Sequence, residues 1–75
     1  MMYSPIVKYS SVSERVIQAL QDDPRTREGI MDVVNEQGLI TLTGTVSSQE
    51  MRQAADEIAR RQEGVITVIN DLKVG

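Results

Sequence analysis

Two strand-like segments joined through one helical stretch constrain this chain more than anything else in it. From Leu39 to Val46 the sequence alternates: Ile40, Leu42, Gly44 and Val46 share one side, and Thr41, Thr43 and Thr45 share the other. A second aliphatic run, Gly64 to Val74, puts Val68, Asn70, Leu72 and Val74 on a common side. Between the two, Ser47 to Glu63 carries Met51, Ala54, Ala55, Ile58 and Ala59 at helical spacing. A strand–helix–strand passage makes its two strands parallel when they are neighbours, with a right-handed connection.

The upstream half completes the pattern. Ser11-Val-Ser-Glu14 reads as a capping box, in which the Ser11 hydroxyl accepts from a first-turn amide and Glu14 reaches back. Val12, Val16, Ala19 and Leu20 form the stripe of a first helix, which Asp23-Pro24 stops because the residue before proline avoids helical geometry. Arg25 to Gly29 is a charged connector, and Ile30 to Asn35 alternates as a strand. Gln37-Gly38 signals a two-residue turn, which pairs Val33 with Leu42 and Val34 with Thr41. A three-residue loop including Glu36 would flip every side chain; the two-residue turn is preferred because it keeps Asp32 out of the core. Ser47-Ser-Gln-Glu50 reads as a second capping box, and Gly64 suits the C′ position of the helix that follows it.

The expected fold is α+β, in the order αββαβ: a three-stranded mixed sheet with two helices packed on one face. The expected core is Val16, Leu20, Met31, Val33, Ile40, Leu42, Ile58, Leu72 and Val74. Residues 1–10 form an N-terminal lead-in, kept from helix by Pro5, and residues 11–75 a single domain.

Composition narrows function mostly by exclusion. The chain has no His and no Cys, so the usual general base, the thiolate nucleophile and the commonest metal ligands are missing. The acids follow no calcium-loop spacing, and Asp22-Asp23 before proline reads as a turn. No catalytic residue, cofactor or metal site is expected. Eleven acids against eight bases argue against nucleic acid as a partner. No apolar run reaches the length of a spanning helix, and the first residues lack a signal peptide's pattern. As written the chain reads as cytoplasmic; a trimmed exported protein, periplasmic or in the envelope, would read the same.

Four residues stand out structurally. Gly38 makes the hairpin turn. Gly44, inside the best strand, is read as the place where the Ala54-Ala55 surface of the second helix approaches the backbone. Gly64 ends that helix. Asn70 interrupts an apolar alternation, so it ties the last strand to a loop or helix end. Arg52, Arg60 and Arg61 invite a phosphate-binding reading, but Asp56→Arg60 and Glu57→Arg61 are favourable i, i+4 pairs and a solvated helix face explains them better. The candidate interaction surface is apolar: Ile30, Val34 and Ile69 on the uncovered sheet face, Ile17 off the first helix's stripe, and Tyr3 and Tyr9 in the lead-in.

This ordered set resembles the BON domain family, named for bacterial OsmY and nodulation proteins. The matching positions are Val16 and Ala19-Leu20; Gly38, Ile40, Leu42, Gly44 and Val46; Ala54, Ala55 and Ala59; then Gly64-Val65, Val68, Asn70, Leu72 and Val74. Asn35 departs from the pattern, where an apolar residue is more usual. The resemblance implies a non-catalytic αββαβ module of envelope and stress proteins, associated with phospholipid or membrane surfaces. It also implies a module found beside channels, secretins, CBS and LysM domains, one such LysM partner protein binding potassium. The first expectation is phospholipid or membrane association, needing anionic headgroups and weakening with salt. The alternative is a protein-interaction module, most simply a homodimer formed through the open sheet face, an edge strand or the lead-in.

Overall fold

The computed structural model describes residues 11–75. Five elements follow in the order α1 (Val12–Asp22), β1 (Ile30–Glu36), β2 (Leu39–Val46), α2 (Gln49–Arg60) and β3 (Thr67–Val74). The sheet order is β1-β2-β3, with β1 antiparallel and β3 parallel to β2. Both helices lie on one face and share a single core, α1 over β1 and α2 over β3 and β2.

Local chemistry explains the boundaries. The α1 capping box is complete: the Ser11 hydroxyl accepts from the Glu14 amide at 3.1 Å, and the Glu14 carboxylate accepts from the Ser11 amide at 3.2 Å. At the other end, the last four carbonyls of a helix have no helical partner. Here Ala19 receives the Asp23 amide, Leu20 the Thr26 hydroxyl at 2.6 Å, and Gln21 and Asp22 the Arg27 guanidinium. Arg27 thus brings positive charge to the negative end of the helix dipole. Thr26, in what the sequence showed only as a charged connector, is the one buried polar residue among those described.

The hairpin adopts the two-residue turn. Val33 pairs with Leu42, Val34 with Thr41 and Glu36 with Leu39. Gln37 and Gly38 both take positive φ, 55° and 96°, as a type I′ turn demands. Asn35, the residue that departs from the family pattern, has a local use: its side-chain oxygen accepts the Gly38 amide at 2.8 Å and braces the turn.

Five expectations need correction. Ser48, not Ser47, caps α2: its hydroxyl accepts the Met51 amide at 3.1 Å, so Glu50 falls in the first turn and closes no capping box. Gly64 is not the C′ residue of α2. It is the third residue of the Gln62–Val65 turn, where φ of 95° is what a type II turn requires. Its missing side chain lets Val12 of α1 close in, since a Cβ there would lie 2.8 Å from a Val12 methyl. The atoms that crowd Gly44 most belong to β1, not to α2. A Cβ at Gly44, where φ is 129°, would strike the Ile30 carbonyl oxygen and reach 3.0 Å from the Met31 Cα, so the crowding comes from β1.

The remaining two concern burial. Val74 is 48% exposed although its partner Val46 is buried, because Val74 ends an edge strand and has a neighbour on one side only. Met31 and Val33 are half-buried for the same reason at the opposite edge. The remaining expected core residues, Val16, Leu20, Ile40, Leu42, Ile58 and Leu72, are buried. Burial of each such aliphatic side chain contributes about 1.5–3 kcal/mol before conformational entropy is counted.

Candidate functional site

Registers across the sheet place the open-face residues in rows. Glu36, Leu39 and Thr67 stand nearest the turn; Val34, Thr41 and Ile69 come next; Asp32, Thr43 and Asp71 follow; Ile30, Thr45 and Lys73 end the face. The apolar surface expected from sequence is therefore divided. Val34 and Ile69 share one row, flanked by half-buried Leu39, and are 52% and 44% exposed. Ile30, although 79% exposed, lies two rows away behind two aspartates.

Ile17 is not on this face. It lines a pocket of about 40 Å³ between α1 and the start of β1, beside Leu20, Thr26, Gly29 and Met31. That is room for a few water molecules at most, far below the several hundred Å³ of a substrate cavity. Tyr3 and Tyr9 lie outside the described residues. The sequence reading missed Ile66, which is 79% exposed and packs over the turn: its amide donates to the Gly38 carbonyl at 2.8 Å, and its side chain fills the space that a Gly38 Cβ would need. Its place one residue before the last strand, where the inward alternation has not yet begun to pair, was the available signal.

The arginines do something neither sequence reading foresaw. Arg52 donates from Nε to the Leu72 carbonyl at 3.0 Å and from Nη2 to the Asn70 carbonyl at 3.1 Å. Arg60 reaches the Val68 carbonyl at 3.4 Å while holding Asp56 at 2.7 Å. Asn70 returns the contact: its Nδ2 donates to the Arg52 carbonyl at 2.9 Å, and its Oδ1 accepts the Leu72 amide at 3.2 Å. The outer edge of β3 is thus closed by α2. Asn70 ties the strand to the first turn of α2, the strand-to-helix-end tie expected of it.

Elsewhere the charges pair locally. Asp23 accepts from the backbone and guanidinium of Arg25, and these bonds hold its carboxyl below the usual aspartate value. Glu57, expected to pair with Arg61, meets Arg25 at 3.5 Å. Among the described residues no cluster of three potential ligands could hold a metal ion, and no helix is long and apolar enough to cross a membrane.

The comparison with known families agrees with the geometry just described. The sequence model of the BON domain matches residues 10–75. The chain belongs to the BON domain family. No curated protein matches it. As a BON domain it presents two distinct outward features. One is the apolar turn end of the open face, made by Val34, Leu39 and Ile69, with exposed Ile66 over the adjoining turn. The other is the contrast between a β3 edge closed by Arg52, Arg60 and Asn70 and a β1 edge with no such closure among the described residues.

Proposed function

We propose that this BON domain is a non-catalytic binding module that associates with a phospholipid surface through the turn end of its open sheet face. The observation that carries the reading is the group Val34, Leu39, Ile66 and Ile69 around a turn braced by Asn35. Short apolar side chains on a stiff turn can enter the headgroup boundary at little ordering cost, each contributing in proportion to the apolar area it buries. Arg52 and Arg60, two of the three arginines that invited a phosphate reading, are engaged with the β3 carbonyls, and Asp32 and Asp71 stand in the next row. Apolar insertion, rather than headgroup charge, therefore carries the contact. The affinity of one domain is low and several domains on one surface reinforce one another.

The test is co-sedimentation with zwitterionic and anionic vesicles at low and high salt. The reading expects binding to both, little salt dependence, and a clear drop for Ile66→Ser. Absence of binding to either vesicle at low salt would refute it.

A second reading, a protein partner on the same face, is supported by the acidic row of Asp32 and Asp71, which repels anionic headgroups and suits a basic partner surface. Asp32→Lys separates the two: it strengthens binding to anionic vesicles and weakens binding to a basic protein partner.

A further inference from the structure

We propose that the free edge of β1 is a self-pairing surface. Two copies of this chain join β1 to β1 antiparallel, about a twofold axis at the level of Val33, into one six-stranded sheet. This surface is the edge of the sheet rather than the turn end of its open face, and Val34 borders both.

The backbone shows which groups are available. In a two-residue hairpin the pair flanking the turn, Glu36 and Leu39, is hydrogen-bonded, and bonded pairs then alternate. Ile30, Asp32, Val34 and Glu36 therefore turn their amides and carbonyls toward β2. Met31, Val33 and Asn35 turn theirs outward, and among the described residues nothing pairs with them. The opposite edge received two arginines and an asparagine at the same three levels of the sheet, Val68, Asn70 and Leu72. Along β1 there is no proline, no lysine and no break in the register; Asp32 and Glu36 are its only charged guards. Met31 and Val33 also leave half-exposed flanks beneath α1 on the helix side of the sheet, which a neighbouring strand would cover.

Topology disfavours as occupant any strand that leads directly into α1. α1 begins at the turn end, where Val12 meets Gly64, and finishes at the start of β1. A strand leading directly into α1 would thus run parallel to β1. Both helices lie on one face and β1 opposes β2, so a right-handed β2–α2–β3 unit requires the strand before α1 to lie on the β2 side of β1. Outside β1 the crossover would be left-handed, against about 98% of such connections.

Charge selects a second copy and its register. With the axis at Val33, Val33 faces the partner's Val33, Met31 faces the partner's Asn35, and Asp32 faces the partner's Val34. Moving the axis to Asp32 would set that carboxylate opposite the partner's Asp32. Moving it to Val34 would set Asp32 opposite the partner's Glu36. Like charges directly opposite are destabilising, so of the three central registers only the Val33 axis keeps the acids apart, and the registers centred on Met31 or Asn35 leave a shorter ladder.

The experiment follows mass by sedimentation, and amide exchange by NMR, for the full chain from low micromolar to millimolar concentration. The expected result is a mass rising toward two chains, with protection of the Met31, Val33 and Asn35 amides growing in step. Val33→Pro removes an amide that no bond within its own sheet uses, a position where an edge strand tolerates proline. It should weaken association on the order of tenfold or more. Val34→Lys places a cation opposite the partner's Asp32 twice over and should tighten association severalfold. The proposal is overturned by a constant monomer mass at millimolar concentration, or by dimers that Val34→Lys disrupts. Protection that is independent of concentration and lost when residues 1–10 are removed would assign the edge to the lead-in and overturn it equally.

Discussion

Replacing Gly44 by alanine adds a single carbon at the most crowded point of the sheet. That carbon would strike the Ile30 carbonyl oxygen and lie 3.0 Å from both the Ile30 carbonyl carbon and the Met31 Cα. These are backbone atoms of β1, held by a continuous register from Ile30 to Glu36, so no side-chain rotation can relieve the clash. The backbone at Gly44 has φ of 129°, a region that L residues seldom enter. Holding a non-glycine residue there costs about 1–3 kcal/mol, and overpacking adds about 1–3 kcal/mol. The two penalties overlap, because shifting the backbone relieves both, so the working figure is about 2–4 kcal/mol. A domain this small has on the order of 3–5 kcal/mol to lose. With a urea slope near 1 kcal/mol per molar, the midpoint should fall by about 2 M or more. Urea unfolding followed by circular dichroism measures this. Ala54→Gly in the same chain should not rescue it, because α2 is not what crowds Gly44. An unchanged midpoint, or rescue by Ala54→Gly, would refute the reasoning.

Two further outcomes follow from the hydrogen-bond geometry. Arg52→Met keeps the aliphatic stem but removes the donors to the Leu72 and Asn70 carbonyls; it should lower stability by about 1–3 kcal/mol in thermal unfolding and speed exchange of the Leu72 amide. Thr26→Val preserves shape and removes the hydroxyl that caps the Leu20 carbonyl; a loss of about 1–2 kcal/mol in denaturant unfolding is expected, and no loss would mean that the cap does not contribute.

Much of this domain was legible because the decisive signals are local. The period-two pattern of Leu39–Val46, the Gln37-Gly38 turn and the refusal of Asp32 to enter an apolar core together specify the hairpin register without reference to anything distant. The α1 capping box is equally local. Where two serines adjoin, at Ser47 and Ser48, the sequence offers two equivalent caps, and only the path of the chain out of β2 selects the second. The open face shows the same division: alternation placed Val34 and Ile69 outward, but the interstrand register put them in one row and moved Ile30 behind the aspartates.

What the tertiary structure alone decided are the contacts between segments distant in sequence. A glycine in a strand announces that something comes close, yet not whether it is a helix or the neighbouring strand; at Gly44 it is β1. Arg52 and Asn70, eighteen residues apart, each read alone as a solvated charge and an inward amide, and only the packing of α2 along β3 joins them into a closed edge. Val74, Met31 and Val33 carry the same apolar chemistry as the buried residues beside them, and their exposure follows from standing at sheet edges. Periodicity tells a side chain which face of its own element it occupies. How many neighbours that face meets depends on strand order, which the local sequence does not encode.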